Sequence, residues 1–253
     1  MFFWKKKKPA ADIPTIKRDK AKVSIIITAW DEKVSMFKKA IRAIGKESLP
    51  EYEIIAIINR YEDNPDKTAQ LLEVAKTEPD VTRWCEISQN AGVVRAWNIG
   101  VQLSEGDIYL IVNGDCVVKK GCLGAMFKPF SSPKTGIVGV GSVRNKKRSD
   151  EPGPCDDVYG FLFALRREVY ETTGPFDNGF SPLADEREYC LRAASKGWII
   201  EVADGAKYFH EYTISEQVDR DIRHLGRHID RKWLDEHNNN RKKELPWMPE
   251  CKS

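Results

Sequence analysis

Short apolar runs that alternate with segments of helical periodicity constrain this chain more than any other feature. The runs lie at 23–29, 54–58, 82–88 and 108–112. The first, second and fourth are apolar and rich in β-branched residues, and the third can form a short strand. The helical segments between them lie at 33–46, 64–75 and 90–103. A strand without polar alternation is buried on both faces, as in a parallel sheet. The order β-α-β-α-β-α-β therefore predicts an α/β fold with a doubly wound, mostly parallel sheet.

The second half of the chain is less regular. We expect strands at 137–143 and 198–202, a charged loop at 144–157, an apolar stretch at 159–165, a stretch at 182–196 that ends in a helix, and a polar helix at 215–240. The length of 253 residues suits one large domain, which we place at 22–212. A basic tail precedes it at 1–21, and a polar, basic helical extension follows at 213–253.

Charge and cysteine content narrow the classes of function. The 41 basic and 38 acidic side chains leave a formal net charge of +3, which is too balanced to indicate nucleic-acid binding by itself. None of the six cysteines forms a C-x-x-C pair, so neither a zinc site nor a redox motif is predicted. Buried free thiols favour a reducing compartment, and we therefore expect a cytoplasmic protein.

The N-terminus combines three aromatic residues within 1–4 with lysines at 5–8. Three aromatics are too few for a signal peptide or a spanning helix, and no other segment of the sequence could span a membrane. Two interpretations of this segment remain open: a disordered tail, or a segment that binds weakly to an anionic membrane surface. Any membrane contact is therefore expected to be peripheral, at the inner face.

The sequence Asn113-Gly114-Asp115 directly follows the fourth apolar run. Ligands of open α/β sheets bind beyond the carboxyl ends of the strands, so a carboxylate here would face the ligand crevice. Mg²⁺ and Mn²⁺ are commonly held by one or two carboxylates together with substrate phosphates. Asn-Gly-Asp is also good turn sequence, so a plain turn is the alternative.

Several motifs, in order, resemble those of glycosyltransferase family 2 over about residues 22–212. They are Thr28-Ala29-Trp30-Asp31-Glu32 after the first run, the set Asn90, Gly92, Ala96, Asn98 and Gly100 on the third helix, Asn113-Gly114-Asp115 in place of Asp-x-Asp, Gly174-Pro175-Phe176-Asp177, and Asp185-Glu186 before Cys190-Leu191-Arg192. The resemblance implies a GT-A fold with a smaller acceptor-side sheet and a C-terminal helix. It also implies an enzyme that moves a sugar from a nucleotide-sugar to an acceptor hydroxyl with inversion, using Mn²⁺ or Mg²⁺.

The resemblance also implies roles for individual residues. Glu186 aligns with the catalytic base, and its neighbour Asp185 is the second choice. Asp115 and His210 are the expected metal ligands. The residues expected to bind the sugar donor are Thr28, Trp30, Glu32, Asn59, Asn90, Arg95, Asn113, Gly114 and Asp115.

This sequence departs from the family pattern at three places. Asn113 replaces an aspartate, and the acidic pair appears as Asp-Glu instead of Glu-Asp. Ile58-Asn59-Arg60 stands where the family has two acidic residues, although Asn59, Glu62 and Asp63 could substitute. The donor nucleotide therefore stays open among UDP-, GDP- and dTDP-sugars. A catalytically inactive sugar-nucleotide-binding protein is one alternative function.

A nucleotidyltransferase is the other alternative. It would share the sheet and the metal, but no G-x-G loop follows the first run, and Gly139-Val140-Gly141 comes too late. The acceptor is open among a glycan, a lipid-linked sugar and a modified nucleic acid. His224 and His228 lie on one helix face among arginines, which favours a solvated or anion-binding face over a metal site.

Overall fold

The computed structural model describes residues 22–49, 51–144, 147–177 and 185–211. At 143–144, 147–148 and Asp185 it describes the backbone only. The predicted tail at 1–21, the whole extension at 213–253 with its predicted helix at 215–240, and therefore His224 and His228, lie outside the described residues. Their boundaries and roles stay predictions.

The first half of the chain confirms the predicted alternation of strands and helices. Its elements are β1 Val23–Ala29, α1 Val34–Ile44, β2 Tyr52–Asn59, α2 Pro65–Thr77, β3 Arg83–Ile87, α3 Val93–Gln102 and β4 Ile108–Asn113. Each strand lies within two residues of its predicted run. Asn64 caps α2 by accepting a hydrogen bond from the Lys67 amide, and Pro65 occupies the first turn.

The second half contains shorter elements, several of which the sequence patterns do not predict. They are β5 Cys116–Val118, α4 Cys122–Phe127, a 3-10 helix Lys128–Ser131, β6 Thr135–Gly139, β7 Ser142–Arg144, β8 Lys147–Ser149, β9 Gly153–Pro154, β10 Leu162–Arg166, α5 Arg167–Thr173, α6 Asp185–Ser195, β11 Ile199–Val202 and β12 Tyr208–His210. The single strand predicted at 137–143 is wrong, because the chain leaves the sheet after β6. At that point the Gly141 carbonyl accepts from the Tyr159 amide instead of a strand partner.

Eight strands form the main sheet, in the order β3-β2-β1-β4-β10-β6-β11-β9. β3, β2, β1 and β4 are mutually parallel, and β10 is antiparallel to both of its neighbours. β5 and β12 form a small separate antiparallel sheet, and β7 pairs with β8. The carboxyl ends of β1, β2 and β4 therefore meet at one edge, as the predicted fold requires.

The core lies in two layers, one on each face of the main sheet. Ile25 and Ile27 of β1 face the layer of α1, α2 and α4, whereas Ile26 faces the layer of α3, α5 and α6. α3 packs closely on β1, since a Cβ at Gly100 would lie 2.2 Å from the Ile26 Cγ2 atom. The cysteines of the described residues (Cys85, Cys116, Cys122, Cys155 and Cys190) are free thiols.

A buried carboxylate fastens the amino end of the sheet. Glu53 on β2 is 2% exposed, and its Oε1 accepts from the Ser24 hydroxyl at 2.5 Å and from the Glu105 amide at 2.7 Å. The Ser24 oxygen in turn accepts from the Gly106 amide at 2.7 Å. Arg83 on β3 lies 3.6 Å from the other Glu53 oxygen, so one side chain joins β1, β2, β3 and the turn before β4.

We predict that Glu53→Ala lowers the free energy of unfolding by about 2–3 kcal/mol, because each orphaned buried partner costs roughly 1–3 kcal/mol. Urea denaturation of the purified variant measures this. The exposed neighbour provides a matched control, and Glu51→Ala should change stability by less than about 0.5 kcal/mol. Equal stability of the two variants would contradict the role assigned to Glu53.

Candidate functional site

The turn Asn113-Gly114-Asp115 lies against the carboxyl end of β1. The Gly114 amide donates to the Thr28 carbonyl at 2.8 Å, and the Asn113 amide donates to the Phe161 carbonyl at 2.9 Å. A Cβ at Gly114 would lie 3.0 Å from the Thr28 oxygen and 3.0 Å from the Phe37 ring. A Cβ here would therefore be crowded, and the turn or its neighbours would have to shift by a few tenths of an ångström to admit one.

Asp115 and His210 come together through the small sheet. β5 begins directly after Asp115 and pairs with β12, so that His210 stands opposite Cys116. His210 Nε2 lies 3.1 Å from Asp115 Oδ1, and both side chains are largely buried. The Phe161 ring stacks on the imidazole at a centroid distance of 4.0 Å and an angle of 17°. The Glu211 amide donates to the Asp115 carbonyl at 3.1 Å, which holds the end of β12 against the turn.

The atoms at this point suit a divalent cation. Two ligand atoms that each lie about 2.1 Å from one cation can be about 3 Å apart, as Asp115 Oδ1 and His210 Nε2 are. The Asn113 Oδ1 atom is buried and has no hydrogen-bond partner among the described residues. No group of three His, Cys, Asp or Glu side chains within the described residues could hold a metal alone. Substrate phosphates and waters would have to complete such a site, as they commonly do for Mg²⁺.

Trp30 and Glu32 follow β1 beside the turn. The Trp30 backbone amide donates to the Glu32 carboxylate, and the Trp30 ring packs edge-on against Tyr61 at a centroid distance of 5.1 Å. The indole N–H is buried without a partner among the described residues. Burial raises the pKa of Glu32 to about 7, with a further contribution from the charge of Asp115. The charge of the Glu32 carboxyl, which interacts with that of Asp115, therefore changes with pH near neutrality.

The side chains of two predicted donor-binding residues form hydrogen bonds with the protein backbone. The buried Asn59 amide group accepts from the Ala91 amide at 3.3 Å and donates to the Gly92 carbonyl at 3.2 Å. Asn90 Oδ1 accepts from the Gly92 amide at 3.0 Å. Both side chains therefore shape the loop that leads into α3. Arg95 is exposed on the first turn of that helix and makes no ion pair with a described residue.

Glu186 lies on α6, close to the segment that also contacts His210. A Cβ at Gly160 would lie 3.0 Å from Glu186 Oε2 and 3.4 Å from the Trp97 ring. Gly160 therefore leaves room for the Glu186 carboxylate, and the next residue, Phe161, stacks on His210. The predicted base and the predicted metal ligands thus border one short segment of chain. α6 begins at Asp185, for which the structure describes the backbone only.

The segment before α6 is fastened at its start. The buried Asn98 side chain accepts from the Phe176 amide at 3.0 Å and donates to the Phe176 carbonyl at 2.9 Å. Arg192 donates to the carbonyls of Thr173 and Pro175, each at 3.0 Å, and pairs with Glu188 at 2.6 Å. Asn98, a residue of the α3 motif, therefore holds the backbone at Phe176, which precedes α6 and Glu186 in the chain.

Sequence reasoning missed Gly160, Phe161 and Glu211. Gly160 sits inside an apolar run, which is a signal for close approach of another group. No sequence pattern marks Phe161 or Glu211, because their contacts depend on how β5, β10 and β12 are arranged. The remaining expectations for sugar-donor contacts stay predictions.

Comparisons with known proteins agree with the observed fold. The family model for glycosyl transferase family 2 matches residues 24–183. A mannosyltransferase, PcManGT from Pyrobaculum calidifontis, solved with GDP-Man and Mn²⁺, is 20% identical, with a TM-score of 0.61 over 79% of this chain and 59% of its own. GalNAc-T7, solved with UDP, GalNAc and Mn²⁺, is 17% identical, with a TM-score of 0.64 over 79% of this chain and 45% of its own.

The present chain thus spans about half the length of these two structures, and at such low identity the likeness shows the fold alone. No curated protein sequence matches. Within the described residues, no helix combines the length and apolar character needed to cross a membrane. The family match covers more than half of the chain, which therefore belongs to glycosyl transferase family 2 and has a GT-A fold.

Proposed function

We propose that this protein transfers a hexosyl group from a nucleoside-diphosphate sugar to an acceptor hydroxyl, by a single displacement with inversion. The observation that carries the proposal is the meeting of Asp115 Oδ1 and His210 Nε2 at 3.1 Å, beside the segment that contacts Glu186. It supports the proposal because a metal site and a proton acceptor would then lie together at the carboxyl edge of the sheet, where ligands of such folds bind.

Asp115, His210 and the Asn113 carbonyl oxygen would hold the metal. Both GT-A structures named above were solved with Mn²⁺, and an imidazole ligand suits Mn²⁺ better than Mg²⁺. A bound cation supplies positive charge for the leaving diphosphate. Asn113 is neutral where the family has aspartate, so Asp115 carries the only carboxylate of the turn.

The sugar donor would lie across the ends of β1 and β2. Trp30 offers a ring for stacking on the base and a buried N–H that lacks a partner among the described residues. Thr28 and Glu32 flank it, and the exposed Arg95 would add a cation near the phosphates. Asn59 and Asn90 would act indirectly, by holding the loop at Ala91 and Gly92 in place.

Glu186 would accept the proton of the acceptor hydroxyl as that oxygen attacks the anomeric carbon. Gly160 gives its carboxylate room, and Asn98 and Arg192 hold the chain that precedes α6. Adjacent residues on a helix point about 100° apart, so only one of Asp185 and Glu186 can serve this role. We assign it to Glu186.

The free cysteines of the described residues are consistent with a reducing compartment, and we place the protein in the cytoplasm. Peripheral contact with the inner face of a membrane is part of this proposal. The acceptor is open among a glycan, a lipid-linked sugar and a modified nucleic acid.

Asp115→Ala should weaken Mn²⁺-dependent binding of nucleoside diphosphate by at least about tenfold, because even outer-shell partners of a metal are worth about 10–100-fold in affinity. His210→Ala should act in the same direction. Isothermal titration with UDP and GDP, with and without Mn²⁺, measures the effect. The exposed Asp204 provides the control, and Asp204→Ala should bind normally. Unchanged affinity in Asp115→Ala would remove Asp115 from the site.

Glu186→Gln should lower kcat by about 10²–10⁴-fold with near-normal binding of the sugar donor, since it keeps the shape and removes the proton acceptor. The rate of sugar transfer, or of donor hydrolysis when no acceptor is supplied, measures this. Asp185→Asn should do less, and Glu171→Gln, an exposed glutamate on α5, should do nothing. Normal turnover of Glu186→Gln, or a product that retains the donor's configuration, would contradict the mechanism.

A further inference from the structure

A basic groove runs between α1 and the chain that follows β5. Its volume is about 530 Å³, and its lining includes Lys38, Lys39, Arg42, Lys46 and Lys120. One carboxylate, that of Glu47, also lines it. The whole chain has nearly balanced charge, with 41 basic and 38 acidic side chains, so five cations around one groove are a strong local excess.

Neighbouring carboxylates neutralise only part of this charge. Glu78 lies 3.2 Å from Lys38 and 2.8 Å from Arg42, and it therefore offsets these two cations. Glu47 accepts from the amides of Gly121 at 2.9 Å and Leu123 at 3.0 Å, so its carboxylate is committed to the start of α4.

Three lysines of the groove have no such partner. Lys39, Lys46 and Lys120 are exposed and make no ion pair with any described residue. Lys39 and Arg42 are three residues apart on α1 and share a face of the helix, and Lys46 follows just beyond its end. Lys120 approaches from the chain after β5. The positive charges therefore converge on the groove from two elements.

We propose that this groove binds the phosphate groups of an anionic ligand, at a site separate from the sugar-donor crevice. Lysine is a common point-charge partner of phosphate. The volume lies in the range of small-molecule sites. None of the residues assigned to the sugar donor lines the groove. Its lining also includes Val117 and Val118 of β5, the strand that begins directly after Asp115.

The phosphate could belong to a soluble molecule or to a lipid headgroup, and two probes distinguish these sources. Pyrophosphate is titrated calorimetrically in buffer with EDTA, so that no metal recruits it to Asp115. Vesicles of phosphatidylglycerol are compared with vesicles of phosphatidylcholine in a sedimentation assay. Both assays are run at low and high ionic strength, because attraction to exposed lysines weakens with salt.

The test variant is Lys39→Gln with Lys46→Gln and Lys120→Gln. Each lysine near an anionic surface strengthens binding by about severalfold, so we expect at least about tenfold weaker binding of one or both probes when three are removed. The control carries the same charge change at three exposed lysines elsewhere, Lys128→Gln, Lys134→Gln and Lys196→Gln, and should bind within about twofold of the unaltered chain. The thermal unfolding of both variants confirms that they are folded.

Loss of pyrophosphate binding in the test variant alone identifies a soluble phosphate site, and loss of vesicle binding alone identifies a lipid headgroup site. The lysines at 5–8 are present in both variants, so binding through the N-terminal tail would affect them equally. Equal binding by the two variants, or no binding of either probe by the unaltered chain, would overturn the proposal. Neither outcome depends on whether the protein transfers a sugar.

Discussion

The contact of Gly114 with the end of β1 is the constraint on which the rest of the site depends. The Gly114 amide donates to the Thr28 carbonyl at 2.8 Å, and a Cβ at Gly114 would be crowded, 3.0 Å from the same oxygen. This contact holds Asp115 at the edge of the sheet. The chain then continues into β5, which pairs with β12. Only then does His210, from the far end of the described chain, reach Asp115.

The segment from Tyr159 to Phe161 connects the two halves of the site. The Phe161 carbonyl accepts from Asn113, its ring stacks on His210, and Gly160 makes room for Glu186. A shift of this segment would therefore move the predicted metal ligands and the predicted base together. Contacts with this one segment therefore fix the position of the predicted base relative to the predicted metal ligands.

Local patterns predict most of the first half because β1, β2 and β4 are long and mostly apolar, whereas β3 is short and of mixed polarity. β1, β2 and β4 are buried nearly throughout, and nothing in them competes with the strand conformation. β5 and β12 have three residues each, too few for any periodicity, so their pairing could not be anticipated. The position of Asp115 follows from the end of a strand, but its distance to His210 depends on a register between distant segments. Asn59 is predicted to contact the sugar donor because it stands where the family has an acidic pair, whereas its side-chain amide hydrogen-bonds the backbone of Ala91 and Gly92.

The most direct test of the central claim is the release of nucleoside diphosphate from UDP-, GDP- and dTDP-sugars by the purified chain, with Mn²⁺ and with EDTA. The account predicts that at least one of these donors releases its nucleoside diphosphate with Mn²⁺ present, and that EDTA abolishes the release. Tight binding of a nucleotide-sugar without any turnover would identify an inactive binding protein. Formation of a nucleotide-sugar from a sugar phosphate and a nucleoside triphosphate, with release of pyrophosphate, would identify a nucleotidyltransferase, and either result would contradict the account.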